Sequence, residues 1–232
     1  IEWAADRPTV ATNFGSYVGA ESYRDPARFF LADDPAAAEA LLDARHVGHV
    51  LVPASLPRYT ASMCRIAGRT ESLYLGGPSV PTRLWHRTML ARLVNGGREL
   101  EGQPAPLGFL RLVHASTRHD ARFRDPVSGR PQPAAFVWER VAGAVLEWRG
   151  APGERVEVRF EVDYPTAGYT LPWHAVVEAG EDGLARLRVP YSTDVANGDG
   201  SVRRARWTGG GTTAALEVPE AAVLAGSTIH LE

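Results

Sequence analysis

The side chains able to do chemistry in this sequence are scattered. Its seven histidines form no His-Glu-x-x-His helix. His46 and His49 flank a helix-to-strand junction, and His114, His119 and Asp120 lie near a polar loop. Either group could lend ligands to a metal, but a metal site needs three or four convergent donors, and the spacing supplies no such set. The acidic residues Asp33, Asp34, Glu39 and Asp43 allow two readings. They could act as a carboxylate pair across a glycosidic bond, or they could cap and polarise the start of a helix, where Asp34 precedes Pro35 at the N-cap. The capping reading accounts for most of the set. Cys64 is the single cysteine, which excludes an intrachain disulfide. Its place in the apolar run Met63–Ile66 predicts a buried, inert thiol rather than a nucleophile. There is no Gly-x-Ser-x-Gly elbow and no phosphate-binding glycine loop. All 25 basic residues are arginine, so no lysine can serve as a Schiff-base nucleophile. No catalytic residue and no metal ligand is assigned within the chain.

The aromatic residues Trp148, Tyr164, Tyr169, Trp173 and Trp207 supply enough ring surface for a sugar-stacking platform, with Trp173 and Trp207 as its candidates. Core packing is the competing reading, because buried tryptophan is ordinary in small β domains.

The elements that must position these residues follow from composition and pattern. With 232 residues, 44% apolar and 22% charged, the chain has the composition of a folded globular protein. Its formal charge of -2 supplies no field to recruit nucleic acid or an anionic membrane. No stretch approaches the ~20 apolar residues of a membrane span. The chain begins at Ile1 with no signal-like segment, which is read as a portion of something longer.

The opening from Trp3 to Val10 leads into a loop-like run, Asn13 to Tyr17. A helix is predicted from Pro35 to about Ala44, then a short buried strand from His46 to Val52. Further helices are expected over Leu56–Ile66 and Thr82–Val94, the latter closed by Asn95-Gly-Gly97. Phe109–Val113 reads as a strand and Arg118–Pro133 as a proline-bearing loop. From Ala135 onward the pattern is strands alone, with period-two alternation clearest in Val156, Val158, Phe160 and Val162. Glu181-Asp-Gly183 supplies a hairpin turn. The expected architecture is α+β: a mixed α/β core domain over residues 1–134, then a small antiparallel β-sandwich or barrel over 135–232.

Several strings, taken in order, resemble one family. Arg7-Pro-Thr-Val-Ala-Thr-Asn-Phe-Gly15, Ala27-Arg-Phe-Phe-Leu-Ala32 and Val47-Gly-His-Val-Leu-Val52 look like the soluble C-terminal domain of oligosaccharyltransferase catalytic subunits (STT3/AglB/PglB), closest to archaeal AglB-like members. Glu139–Ala144, Ala151–Val156, Val189–Thr193 and Glu220–Gly226 resemble the peripheral β unit of those members.

The resemblance implies transfer of a glycan from a lipid-linked donor to an acceptor asparagine, on the periplasmic (extracytoplasmic) face of a membrane. It also implies partners: the protein's own transmembrane region, the acceptor polypeptide and the lipid-linked oligosaccharide, with no nucleic acid. The family's metal-binding carboxylates lie in loops between membrane helices, so Mn or Mg is expected there and no cofactor is expected in this chain. The isolated chain is not expected to be active. The family's Trp-Trp-Asp-x-Gly motif is absent. Its archaeal helix motif, Asp-x-x-Met-x-x-x-Lys-x-x-x-Ile, maps onto Pro53, Leu56, Thr60 and Cys64, where both charged positions are lost. A Met-x-x-Ile form occurs one turn on, as Met63-Cys-Arg-Ile66, two side chains on one helix face suited to an apolar wall around a threonine methyl. Leu56, Arg58, Thr60, Met63 and Ile66 are therefore the acceptor-binding candidates. The alternative is a carbohydrate-binding or structural β module with no catalytic role.

Overall fold

The computed structural model describes residues 20–77, 80–96, 106–124 and 129–232. The opening segment from Trp3 to Tyr17, with the string Arg7–Gly15, lies outside the described residues, as does Gly97. The fold is α+β, as its pattern of elements predicts, and it divides into two compact units.

The first unit takes in residues up to Val47 and from Leu56 to Arg92. Helix α1 (Ala20–Leu31) buries Ala27, Phe29 and Leu31. The sequence pattern does not predict this helix, because Pro26 lies inside it and removes a backbone donor. What offsets that loss is tertiary. Asp25 accepts from Arg45 Nε at 2.8 Å and from Arg28 at 3.2 Å, tying α1 to the end of α2 (Pro35–Ala44). The Arg45 guanidinium is the main cause holding the Asp25 carboxyl below its usual range, against the effect of burial. Helix α2 begins as expected: Asp34 Oδ1 accepts from Ala36 N at 3.0 Å, and Pro35 takes the first turn.

The helix expected over Leu56–Ile66 is a 3-10 turn (Leu56–Tyr59) followed by α3 (Thr60–Ala67), which ends at Gly68 with φ 68°. The helix expected over Thr82–Val94 is two helices, α4 (Arg83–Arg87) and α5 (Met89–Val94). Thr88 makes the break. It adopts extended backbone, donates its hydroxyl to Trp85 O at 2.7 Å and accepts from Ala91 N at 3.2 Å, so one side chain closes the first helix and caps the second.

The second unit takes in Gly48–Ser55 and the chain from Leu93 onward. Strand β1 (His49–Pro53) pairs antiparallel with β5 (Ala135–Arg140), which also pairs with β2 (Leu110–Ala115). The segment expected as a loop over Arg118–Pro133 instead contributes a paired ribbon, β3 (His119–Arg124) with β4 (Pro131–Pro133). Residue 135 thus opens the central strand of a sheet that includes β1 and β2.

A four-stranded antiparallel sheet follows, in the order β11 (Thr212–Ala215), β10 (Ser201–Gly209), β7 (Arg155–Tyr164) and β8 (Tyr169–Glu178). The alternating Val156, Val158, Phe160 and Val162 all turn inward, as the period-two pattern requires. The remaining sheet orders β12 (Thr228–Leu231), β6 (Ala144–Arg149) and β9 (Leu184–Val189). Among the described residues no sheet closes into a barrel.

Two features depart from an all-antiparallel, all-strand region. Helix α6 (Glu220–Ala225) interrupts the strands, and β12 runs parallel to β6. The helix reverses the chain, and its end is fixed by Gly143 N donating to Val223 O at 2.8 Å, so β12 arrives at β6 in the same direction. Gly143, at φ 76°, has no room for a side chain: a Cβ there would lie 2.2 Å from Gly108 O.

The core of this unit contains a polar network. Strand β2 bulges between Leu112 and His114, which frees backbone groups from the ladder. Tyr191 Oη accepts from Leu112 N at 2.8 Å, and Tyr164 donates to Leu112 O at 2.5 Å. Burial pushes both phenols up, so they remain neutral hydrogen-bonding groups. Beside them Arg111 donates to Glu139 at 2.8 Å and, in a two-pronged pair, to Glu220 at 2.7 and 2.8 Å. Its Nη1 also donates to Asn197 Oδ1 at 3.2 Å. Arg111 holds the Glu220 carboxyl below its ordinary value, partly opposed by burial.

That shift makes stability depend on acid. Because the folded pKa is the lower one, the contribution is fully present above about pH 4–5 and is lost as pH falls through the folded value. Urea unfolding at pH 7 and pH 3 should show a smaller loss of stability on acidification in Glu220→Gln than in the parent chain. Equal losses would mean the pair carries no proton linkage.

Candidate functional site

The acceptor-binding candidates all belong to the first unit. Leu56 and Arg58 lie on the 3-10 turn, half-buried and exposed respectively. Thr60, Met63 and Ile66 lie on α3. Thr60 is 1% exposed and its hydroxyl is engaged twice, donating to Pro57 O at 2.8 Å and accepting from Trp85 Nε1 at 3.2 Å. It fastens the start of α3 to α4. Met63 packs inside next to Cys64, whose thiol burial pushes upward, as an inert cysteine requires. Ile66 is 43% exposed and Tyr59 58%. The helix therefore presents Ile66 outward while Met63, three residues earlier, supports it from within. The exposed side chains of this segment are Arg58, Tyr59, Arg65 and Ile66. Tyr59 was not among the sequence candidates, although it adjoins the turn that carries them.

The sugar-stacking candidates belong to the second unit. Trp173 and Trp207 are each 4% exposed. Trp173 stacks on Phe160 with centroids 4.6 Å apart and planes 8° from parallel. Trp207 sits opposite Val158 on the inner face of the four-stranded sheet. The two rings are thus packed into the unit and do not form an exposed coplanar pair.

The histidine groups are likewise placed. His46, at φ 51°, follows the end of α2, and His49 opens β1. His114 Nδ1 meets Asp199 Oδ2 at 2.5 Å in an exposed pair, His119 reaches Thr117 O at 3.2 Å, and Asp120 pairs with Arg122. Among the described residues no three His, Cys, Asp or Glu side chains gather as metal ligands. No described helix is long and apolar enough to cross a membrane.

Sequence reasoning missed a group of charged residues on the outer face of the four-stranded sheet. Arg159, Glu161, Pro172, His174, Arg204 and Arg206 border an open cleft of about 420 Å³. The available signal was the run Arg203-Arg-Ala-Arg206 opposite the charged positions of the Val156–Val162 alternation.

Known proteins share both the sequence pattern and the arrangement of elements. The family described as "Archaeal glycosylation protein B long peripheral domain" matches residues 143–229. No curated protein matches. Among solved structures, the apo oligosaccharyltransferase of Archaeoglobus fulgidus is similar over 99% of this chain and 36% of its own, with TM-score 0.79 and 17% identity. The AglB oligosaccharyltransferase of the same organism in complex with an inhibitory peptide and a dolichol-phosphate is similar over 88% of this chain and 32% of its own, with TM-score 0.72 and 16% identity. A third structure of an oligosaccharyltransferase from that organism, tethered through a disulfide to an acceptor peptide containing the NVT sequon, is similar over 88% of this chain and 33% of its own, with TM-score 0.72 and 17% identity. The chain spans about a third of the length of these solved chains. At this identity the likeness establishes a shared fold, and the peripheral-domain match is confined to residues 143–229. Residues 143–229 thus match the archaeal long peripheral domain, and the chain as a whole shares the fold of these oligosaccharyltransferase structures.

Proposed function

We propose that this chain is the extracytoplasmic domain of a membrane-anchored oligosaccharyltransferase-like glycosyltransferase. In this reading it helps hold the acceptor polypeptide while a glycan passes from a lipid-linked donor to asparagine. The observation that carries the reading is the peripheral-domain match within a chain whose fold follows that of a peptide-binding oligosaccharyltransferase over most of its length. The donor and the acceptor polypeptide are then partners of the whole protein, reached through its own transmembrane region. A catalytic Mn or Mg ion belongs to that region too. The described residues offer no fitting donor set, and no step is assigned to a metal within this chain.

Within the chain, the exposed side chains Arg58, Tyr59 and Ile66 are the acceptor-facing group, with Met63 and Leu56 packed behind them. Ile66 supplies apolar contact for the methyl of an acceptor threonine. Since one such contact is worth roughly tenfold in discrimination, Ile66→Asp in the full-length protein should raise KM for an NVT peptide about tenfold, with the thermal transition preserved because the site is exposed. Unchanged peptide kinetics would remove Ile66 from the acceptor site. Glycan transfer by the isolated chain would overturn the wider reading, which places the reaction centre elsewhere in the protein.

A further inference from the structure

The outer face of the four-stranded sheet sets two guanidiniums directly opposite one another, with an imidazole beside them. The register sets Arg206 of β10 directly opposite Arg159 of β7, and Arg159 directly opposite His174 of β8. Adjacent strands are ~4.8 Å apart, and like charges placed directly opposite one another destabilise a sheet. Proteins relieve such a pair with neighbouring acids, and Arg159 has that relief: it pairs with Glu157, whose carboxylate also lies 2.5 Å from His174 Nε2. Arg206 forms no ion pair among the described residues.

A bulge adds a third guanidinium. Between Arg203 and Arg206 the ladder shifts register, so Arg204 and Ala205 stand against Phe160 alone. Arg204 takes the left-handed backbone conformation, φ 54°, which disfavours any residue but glycine. A bulge of this kind re-aims side chains, and here Arg204 stays largely exposed, reaching Glu161 only at 3.5 Å. The cleft is therefore bordered by three guanidiniums: Arg159, paired with Glu157, Arg204, which reaches Glu161, and Arg206, which has no carboxylate partner among the described residues. Its volume of about 420 Å³ suits a molecule of monosaccharide size.

We propose that this cleft binds a phosphate or sulfate ester carried by a sugar-sized molecule, with Arg206 and Arg159 donating to the same tetrahedral group across the strand pair and Arg204 closing the third side. Guanidinium forks match the spacing of phosphate oxygens. A bound dianion would give Arg206 the anionic partner that Arg159 already has in Glu157. The site lies in the peripheral domain and does not depend on the acceptor-binding role assigned to the first unit.

The test uses the intact chain and three variants, Arg206→Gln, Arg159→Gln and Arg206→Glu, all at exposed positions where the fold should be retained. Thermal transitions are recorded in sodium chloride and, at matched ionic strength, in millimolar sulfate, inorganic phosphate, glucose 6-phosphate or glucuronate. Ligand linkage should raise Tm of the parent chain by about 3 °C in sulfate, phosphate and glucose 6-phosphate. Either glutamine variant should lose at least two thirds of that shift, and Arg206→Glu all of it, while their transitions in chloride stay at or slightly above the parent value. Equal shifts in parent and variants would identify a general salt effect and overturn the site, as would no shift at all. A shift with glucuronate but not with glucose 6-phosphate would overturn the choice of a tetrahedral ester.

Discussion

Arg111→Ala should lower the stability of the second unit by about 3 kcal/mol, near the lower end of the cost of breaking a buried ion pair. The geometry explains the size. The Arg111 side chain is 6% exposed, whereas its partners Glu139 and Glu220 are 28% and 23% exposed. Removing the cation leaves two carboxylates that can partly rehydrate, so the penalty stays below that of a fully entombed charge. Asn197 keeps its contacts with Ser192, so the polar cluster does not collapse as a whole. For a chain of this size the change corresponds to a fall in Tm of roughly 6–12 °C. Circular dichroism and chemical unfolding would measure it, and Glu220→Gln should cost less because Arg111 retains Glu139 and Asn197. A smaller loss in Arg111→Ala than in Glu220→Gln would show that the guanidinium is not the centre of the network.

Trp173→Ala should be larger still, about 3–5 kcal/mol, as is usual for removing a buried tryptophan. Its ring is stacked on Phe160, which itself packs edge-on to Tyr191 at 5.6 Å, so the cavity would open beside the polar network as well as the sheet. Trp173→Phe should restore most of the loss, because an aromatic ring can still cover Phe160. The pair of variants separates two roles for this residue. A packing role predicts a fall in Tm on the order of 10 °C in the alanine variant and partial recovery in the phenylalanine one. A sugar platform predicts an unchanged transition with loss of glycan binding, and that result would refute the packing role.

The sequence by itself determined the elements whose signals are local. The Asp34-Pro35 start of α2 needs only a short polar side chain and a missing N–H, and both act within one turn. The inward face of β7 is written in its alternation, and the Gly183 turn before β9 in its positive φ of 72°. The burial of Cys64 also followed from its neighbours. The strings Ala151–Val156, Val189–Thr193 and Glu220–Gly226 fall within residues 143–229, which match the archaeal long peripheral domain.

What only the tertiary structure decided are features whose cause lies far along the chain. Helix α1 survives Pro26 because Arg45, 20 residues away, anchors Asp25. The parallel pairing of β12 depends on where α6 delivers the chain beside Gly143. Met63 and Ile66 share a spacing that suggests one common wall, yet burial of α3 turns one inward and leaves the other exposed. The arginine row is the clearest case. Arg159 and Arg206 stand 47 positions apart, and a bulge at Arg204 sets which of three nearby arginines faces Arg159. Shifting that register by one residue would exchange the exposed arginine for a buried tryptophan. Side-chain types fixed the chemistry available to the chain, but register and burial chose which of it reaches solvent.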